Sequence, residues 1–109
     1  MTFREYQLEA KRTCAFPDKE NTFIYATLGL VGETGEVAEK IKKIWRDKNK
    51  QVTDEDRLEV KKEMGDVLWY LSQLAEEIGI NFDDVAQTNL EKIQSRLKRD
   101  VLHGAGDNR

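Results

Sequence analysis

Cysteine, proline and histidine each occur once in the 109 residues. The single Cys14 excludes an intramolecular disulfide and any multi-cysteine metal site, and its ordinary role is that of a small half-buried hydrophobe on the first helix. The single Pro17 leaves the rest of the chain free of helix breakers. No apolar run approaches membrane-spanning length, and the charged start MTFREYQ is unlike a signal or transit peptide. The only histidine, His103, stands in the tail, so the paired E-x-x-H motifs of a di-iron carboxylate bundle are missing. A net charge of −3 at pH 7 gives no support for a nucleic-acid polymer as partner. The expectation is a reduced, soluble, cytoplasmic protein that binds no membrane.

What remains is charge and helix formers: 36% of residues are charged and 39% hydrophobic, a balance that favours an all-α protein. At 109 residues the chain is one domain, 1–109. A first helix is expected over about 2–13, with Phe3, Tyr6 and Ala10 on one face. Pro17, Asp18 and Asn21 break it. A second helix runs over about 22–47, with a stripe of Ile24, Leu28, Val31, Ala38 and Trp45 broadened by Leu30, Val37, Ile41 and Ile44. Asp47 to Val52 is a polar turn. Thr53 caps a third helix over about 54–78, which Gly79 ends. Asn81 caps a fourth over about 82–98, with the thinner apolar face Val85, Leu90, Ile93 and Leu97. The glycine-rich tail, 100–109, is expected to be flexible or lid-like. Short connections argue a compact antiparallel four-helix bundle.

The chemistry concentrates in GLVGETGEVAEKIKK, residues 29–43. Glu33 and Glu36 stand three apart and so share one side of a helix turn. Gly29, Gly32 and Gly35 each cost about 1 kcal/mol relative to Ala in a helix, which suggests a compensating close approach by backbone or ligand. The third helix repeats the device with Glu63 and Asp66. If the two helices pack antiparallel, all four carboxylates converge. Their mutual repulsion is relieved by a hard divalent cation, Mg²⁺ or Mn²⁺, for which an all-oxygen set is suited. A carboxylate of the set that the ion does not fully engage can take a proton from water, which makes Glu33 and Glu36 the candidate catalytic residues. The opposite reading is a solvated face. Glu36 to Lys40 and Glu39 to Lys43 are spaced as exposed helix ion pairs, and Glu39 is assigned to that role.

GLVGETGEVAEKIKK followed by KKEMGDVLWYLSQLA resembles the MazG-type, all-α nucleoside triphosphate pyrophosphohydrolase family, over nearly the whole chain. Tyr6-Gln7, Asn89-Leu90-Glu91-Lys92 and the closing Gly106-Asp107-Asn108-Arg109 are similar to one of its single-domain branches. The family motif is E-E-x-x-E followed a helix later by E-x-x-D. Gly32 stands where the longer motif has its first Glu, while Glu33, Glu36, Glu63 and Asp66 keep the four ligand positions. The resemblance implies Mg²⁺-dependent hydrolysis of a nucleoside triphosphate between the α- and β-phosphates, giving a monophosphate and pyrophosphate. It also implies nucleotide-pool house-cleaning, and dimers or tetramers with sites near the subunit contact.

Candidate substrate residues follow. Lys92, Arg96, Lys98 and Arg99 are cations for the pyrophosphate end, and Asn89 with Lys92 matches the family-like N-x-x-K. Basic residues in a last helical turn also complement the helix dipole, which is the alternative for Lys98 and Arg99. Lys40 is placed beside the carboxylates. Tyr70 is the better candidate of the Trp69-Tyr70 pair to stack on a base, Trp45 is expected in the core, and Arg109 could close over phosphate. The non-enzymatic rival is a catalytically inactive helical interaction module of the same fold.

Overall fold

A computed structural model describes all 109 residues as four α-helices: α1 Phe3–Lys11, α2 Thr22–Asp47, α3 Asp54–Glu77 and α4 Phe82–Lys98. The helix starts are chemically specified. Thr2 and Thr53 each form a capping box, accepting from Glu5 N and Asp56 N while those acidic side chains accept from the cap N–H in return. Asn81 caps α4 by accepting from Asp83 N. After α3, Gly79 adopts φ +77° and Ile80 N donates to Ala75 O at 2.8 Å, the closing bond of a Schellman turn. Helix α1 stops at Lys11, two residues short of the expected end. Three successive i→i−3 bonds tighten the chain there, and Thr13 Oγ1 donates to Ala10 O.

Helices α2 and α3 form one long antiparallel hairpin. Thr22 donates to Glu77 at one end, and Lys48 Nζ meets Asp56 Oδ1 at 2.6 Å at the other. Helix α1 lies against α3, and α4 packs on α1 and α3 but makes no contact with α2. The centre of the fold is the α1–α3–α4 junction. There Phe3 meets Phe82 edge-on at 5.3 Å between ring centroids, and fully buried Gln7 joins the elements. Gln7 Nε2 donates to Ile80 O at 2.8 Å, and its Oε1 accepts from Phe82 N at 3.0 Å.

The all-α, four-helix expectation holds, but compactness does not. The radius of gyration is 16.8 Å, against about 13 Å for a compact domain of this length. Because α4 leaves α2 uncovered, the expected apolar stripe lies open: Leu28 is 68% exposed, Val31 67% and Trp45 64%. Trp45 is therefore not a core residue; Lys50 Nζ sits 3.9 Å over its ring instead.

Candidate functional site

The hairpin register builds the site. Gly29 on α2 faces Tyr70 on α3, and further along Lys40 Nζ lies 3.7 Å from Glu63 Oε1 and 3.9 Å from Glu59 Oε2. Between these points the carboxylates of Glu33, Glu63 and Asp66 come together, each offering an oxygen within 4.8 Å of the others. Glu33 and Glu63 are half-buried and Asp66 is exposed. Glu36 lies outside this set and is exposed, but it belongs to the same electrostatic neighbourhood. Burial raises the Glu33 pKa above the ordinary carboxylate value, and the charges of Asp66, Glu63 and Glu36 raise it further. Crowded carboxylates of one sign, with no nearer cation than Lys40, are a donor set suited to a hard divalent ion.

Aromatic rings close one end of this groove. The Tyr70 ring lies so near Gly29 that a Cβ there would overlap three ring carbons. The expected close approach is thus made by a side chain, and only at Gly29. Gly32, Gly35 and Gly65 have no neighbour within 4 Å of a Cβ position. Phe16 stacks parallel to Tyr70 at 6.4 Å and also meets Tyr25 and Trp69, while Trp69 Nε1 donates to Thr13 Oγ1 at 2.9 Å. Burial raises the Tyr70 pKa, helped by Tyr25, Glu33 and Asp66; Tyr6 is raised by burial and by Asp66. Tyr6, Phe16, Tyr25 and Gly29 therefore join the neighbourhood; Gly29 stood out in the sequence as a glycine too costly for a helix interior and Tyr6 in the Tyr6-Gln7 resemblance, while Phe16 and Tyr25 carried no signal. At the other end, beyond Lys40, a cleft of about 310 Å³ is lined by Lys43, Lys48, Asp56 and Glu59 among others.

The remaining candidates form a second, separate group. Asn89 and Lys92 line one surface cleft on α4. Arg96 is buried and donates to Asp107 O at 2.8 Å, Arg99 Nη2 donates to Arg109 O at 2.7 Å, and Arg109 Nη1 donates to Gly106 O at 2.6 Å. The tail thus folds back along α4. With no contact between α4 and α2, the five residues Asn89, Lys92, Arg96, Arg99 and Arg109 are not brought to the carboxylates of the same chain.

An all-α chain with an acidic groove between two long antiparallel helices defines a class of helical carboxylate proteins. Residues 22–100 match the sequence model of the MazG nucleotide pyrophosphohydrolase domain. The chain belongs to the MazG family, and so to a family of nucleotide pyrophosphohydrolases. It is also 46% identical to the Gene 37 protein of Mycobacterium phage L5, over 95% of this chain and 96% of that protein. No solved structure matches. No helix is long and apolar enough to cross a membrane.

Proposed function

We propose that this chain hydrolyses a nucleoside triphosphate between the α- and β-phosphates, releasing a monophosphate and pyrophosphate, and so serves nucleotide-pool house-cleaning in the cytoplasm. The observation that carries the reading is the meeting of Glu33, Glu63 and Asp66 within 4.8 Å on two helices of a MazG domain. These residues, with Glu36, fit Mg²⁺ or Mn²⁺: all donors are carboxylate oxygens, and the Glu33 pKa, raised first by burial, is raised further by neighbouring carboxylates whose crowding a dication relieves. Such an ion, when bound, neutralises phosphate charge and polarises a phosphoryl oxygen.

The chain's own residues divide the remaining work. Glu36, exposed and free of any ion pair, accepts the proton of the attacking water, and Glu33 beside it is the second candidate for that role. Lys40 offers an ammonium to the phosphates along the groove. Tyr70, backed by Phe16, offers a ring face to the base. The cations of α4 and the tail, Lys92, Arg96, Arg99 and Arg109, with Asn89, serve the pyrophosphate end from a second copy of the chain. A homodimer or homotetramer is supported by the extended shape and by the open apolar faces of α2 and α4, where Leu90 is 53% and Leu97 65% exposed.

A panel of nucleotides with and without Mg²⁺, resolving monophosphate, pyrophosphate and orthophosphate, tests the reaction. Metal-dependent release of pyrophosphate is expected, and orthophosphate as first product would overturn the cleavage site. The second reading, an inactive helical interaction module, draws on the same open apolar faces. It predicts no turnover and no rise in thermal midpoint with Mg²⁺. Saturating metal at a hundredfold its Kd should instead add about 2.7 kcal/mol.

A further inference from the structure

Lys40 follows Glu36 at the i,i+4 spacing on α2, which offers its ammonium to Glu36 along the helix. That pair does not form. The side chain crosses to α3 instead, where Nζ lies 3.7 Å from Glu63 Oε1 and 3.9 Å from Glu59 Oε2. Several other lysines are held firmly. Lys48 comes within 2.6 Å of a carboxylate oxygen, Lys11 within 2.7 Å, and Lys42 and Lys62 within 2.8 Å. Both Lys40 distances exceed the roughly 2.7–2.9 Å of a firm charge-assisted bond. Its ammonium is held between two carboxylates by charge alone.

Those two carboxylates differ in what else they have. Glu59 meets Lys62 at 2.8 Å, and that bond is the first cause of its lowered pKa. Glu63 has no ion pair except the one with Lys40, and its side chain is only 20% exposed. It is also one of the three carboxylates that converge within 4.8 Å. The Lys40 contact is thus the only ion pair that Glu33, Glu63 or Asp66 makes. A cation held this way relieves repulsion among its neighbours, yet leaves without breaking a hydrogen bond.

We infer that Lys40 is the internal counter-ion of the carboxylate set: it pairs with Glu63 in the metal-free groove, competes with a divalent cation for that carboxylate, and so sets the affinity of the metal site. The inference rests on the reading that Glu33, Glu63 and Asp66 take such a cation, and adds the residue that regulates its entry. The pair is partly exposed, and so weak enough to yield to a double charge. Once released from Glu63, the ammonium is free for the phosphates of a nucleotide.

The test uses the full chain without nucleotide, with Mn²⁺ alone as the probe and its free fraction read by electron paramagnetic resonance. Lys40→Gln should bind Mn²⁺ roughly three- to tenfold tighter than the unaltered chain, the scale of one or two partly exposed ion pairs no longer competing. Lys40→Arg keeps the charge and should bind as the unaltered chain does. In EDTA, Lys40→Gln should melt lower, since the like charges have lost their counter-ion. The same Mn²⁺ concentration should then raise its midpoint further than that of the unaltered chain. A residue that only contacts phosphate would move neither readout, because no phosphate is present.

The inference is overturned if Lys40→Gln binds Mn²⁺ no tighter, if it melts no lower in EDTA, or if Lys40→Arg binds as tightly as Lys40→Gln. Loss of helical circular dichroism in Lys40→Gln would also overturn it, by making Lys40 a determinant of the fold. Equal Mn²⁺ affinity in the unaltered chain and Lys40→Gln would remove the counter-ion and leave the metal site standing. No Mn²⁺ bound by either would remove the metal site as well. Tighter binding in Lys40→Gln, with no nucleotide hydrolysed by the unaltered chain, would overturn the proposed reaction alone.

Discussion

The middle of the α2–α3 hairpin and the α1–α3–α4 junction both place polar side chains between helices, with opposite outcomes. At the junction, Gln7 is fully buried and its amide bridges Ile80 O and Phe82 N, so a polar group becomes a staple between α1 and the turn that joins α3 to α4. Arg4 and Lys11 flank it, both paired with Glu76. In the hairpin groove, Glu33, Glu63 and Asp66 face one another with like charge and only Lys40 nearby. One region spends its polar groups on holding the fold, and the other leaves them free for something that is not part of the chain. Substitutions should therefore separate cleanly into those that cost activity and those that cost stability.

The largest effect is expected in the groove. Glu36→Gln and Asp66→Asn should each lower kcat by about a hundredfold or more, the range over which a positioned proton acceptor or charge-stabilising group contributes. In EDTA the melt of Glu36→Gln should stay level, and Asp66→Asn should melt slightly higher because one of the like charges that raise Glu33 is gone. A stability loss in either would erase the distinction between the two regions. At the junction the outcome should reverse. Gln7→Ala removes the bonds to Ile80 O, Phe82 N and the Arg4 guanidinium and leaves a buried N–H and a carbonyl unsatisfied, which costs about 2–4 kcal/mol. Activity per folded molecule should be little changed.

Gly29→Ala sits on the boundary between the regions. A helix interior gains up to about 1 kcal/mol from this change, but the new Cβ overlaps the Tyr70 ring, which is itself wedged against Phe16 and Trp69. Overpacking of this kind costs about 1–3 kcal/mol, so destabilisation should win. KM for the nucleotide should rise as the ring moves. Combining Gly29→Ala with Tyr70→Ala should recover most of the stability lost to the clash. If it does not, the glycine is needed for some other contact.

How far these regions could be read in advance depends on what kind of interaction defines them. The helices were legible because their signals are local: Thr53 before Asp56, Asn81 before Asp83, and Gly79 at the positive-φ turn that ends α3. The acidic pairs were legible because three-residue spacing fixes a shared face. Once the hairpin is antiparallel, opposing Glu33 to Asp66 follows. Gln7 was not legible as a staple, since a glutamine on a short charged helix looks solvated until the chain ends it bridges are known. The faces at Leu28, Val31 and Leu97 were legible as apolar, but not as open within one chain. Periodicity shows that a helix has an apolar face, but not which element, or which copy of the chain, covers it.

The smallest effect is expected at the far end of the hairpin, where polar groups again serve the fold. Lys48 Nζ lies 2.6 Å from Asp56 Oδ1, and the Thr53 backbone N–H donates to Asp56 Oδ2 at 3.0 Å. The Lys48 contact, followed by the Thr53 bond, lowers the Asp56 pKa from its ordinary value near 3.8 to about 2. A carboxylate depressed in the folded state binds its proton more readily when unfolded. It therefore adds stability above the ordinary value, and that contribution drains away as pH falls from about 4 to about 2. Asp56→Asn should melt a little below the unaltered chain at pH 7, and the two melting curves should converge by pH 2. A gap that persists undiminished at pH 2 would mean that Asp56 acts through the shape of its cap and not through its charge. The hairpin would then be closed by geometry at the turn, while its middle would still be governed by electrostatics.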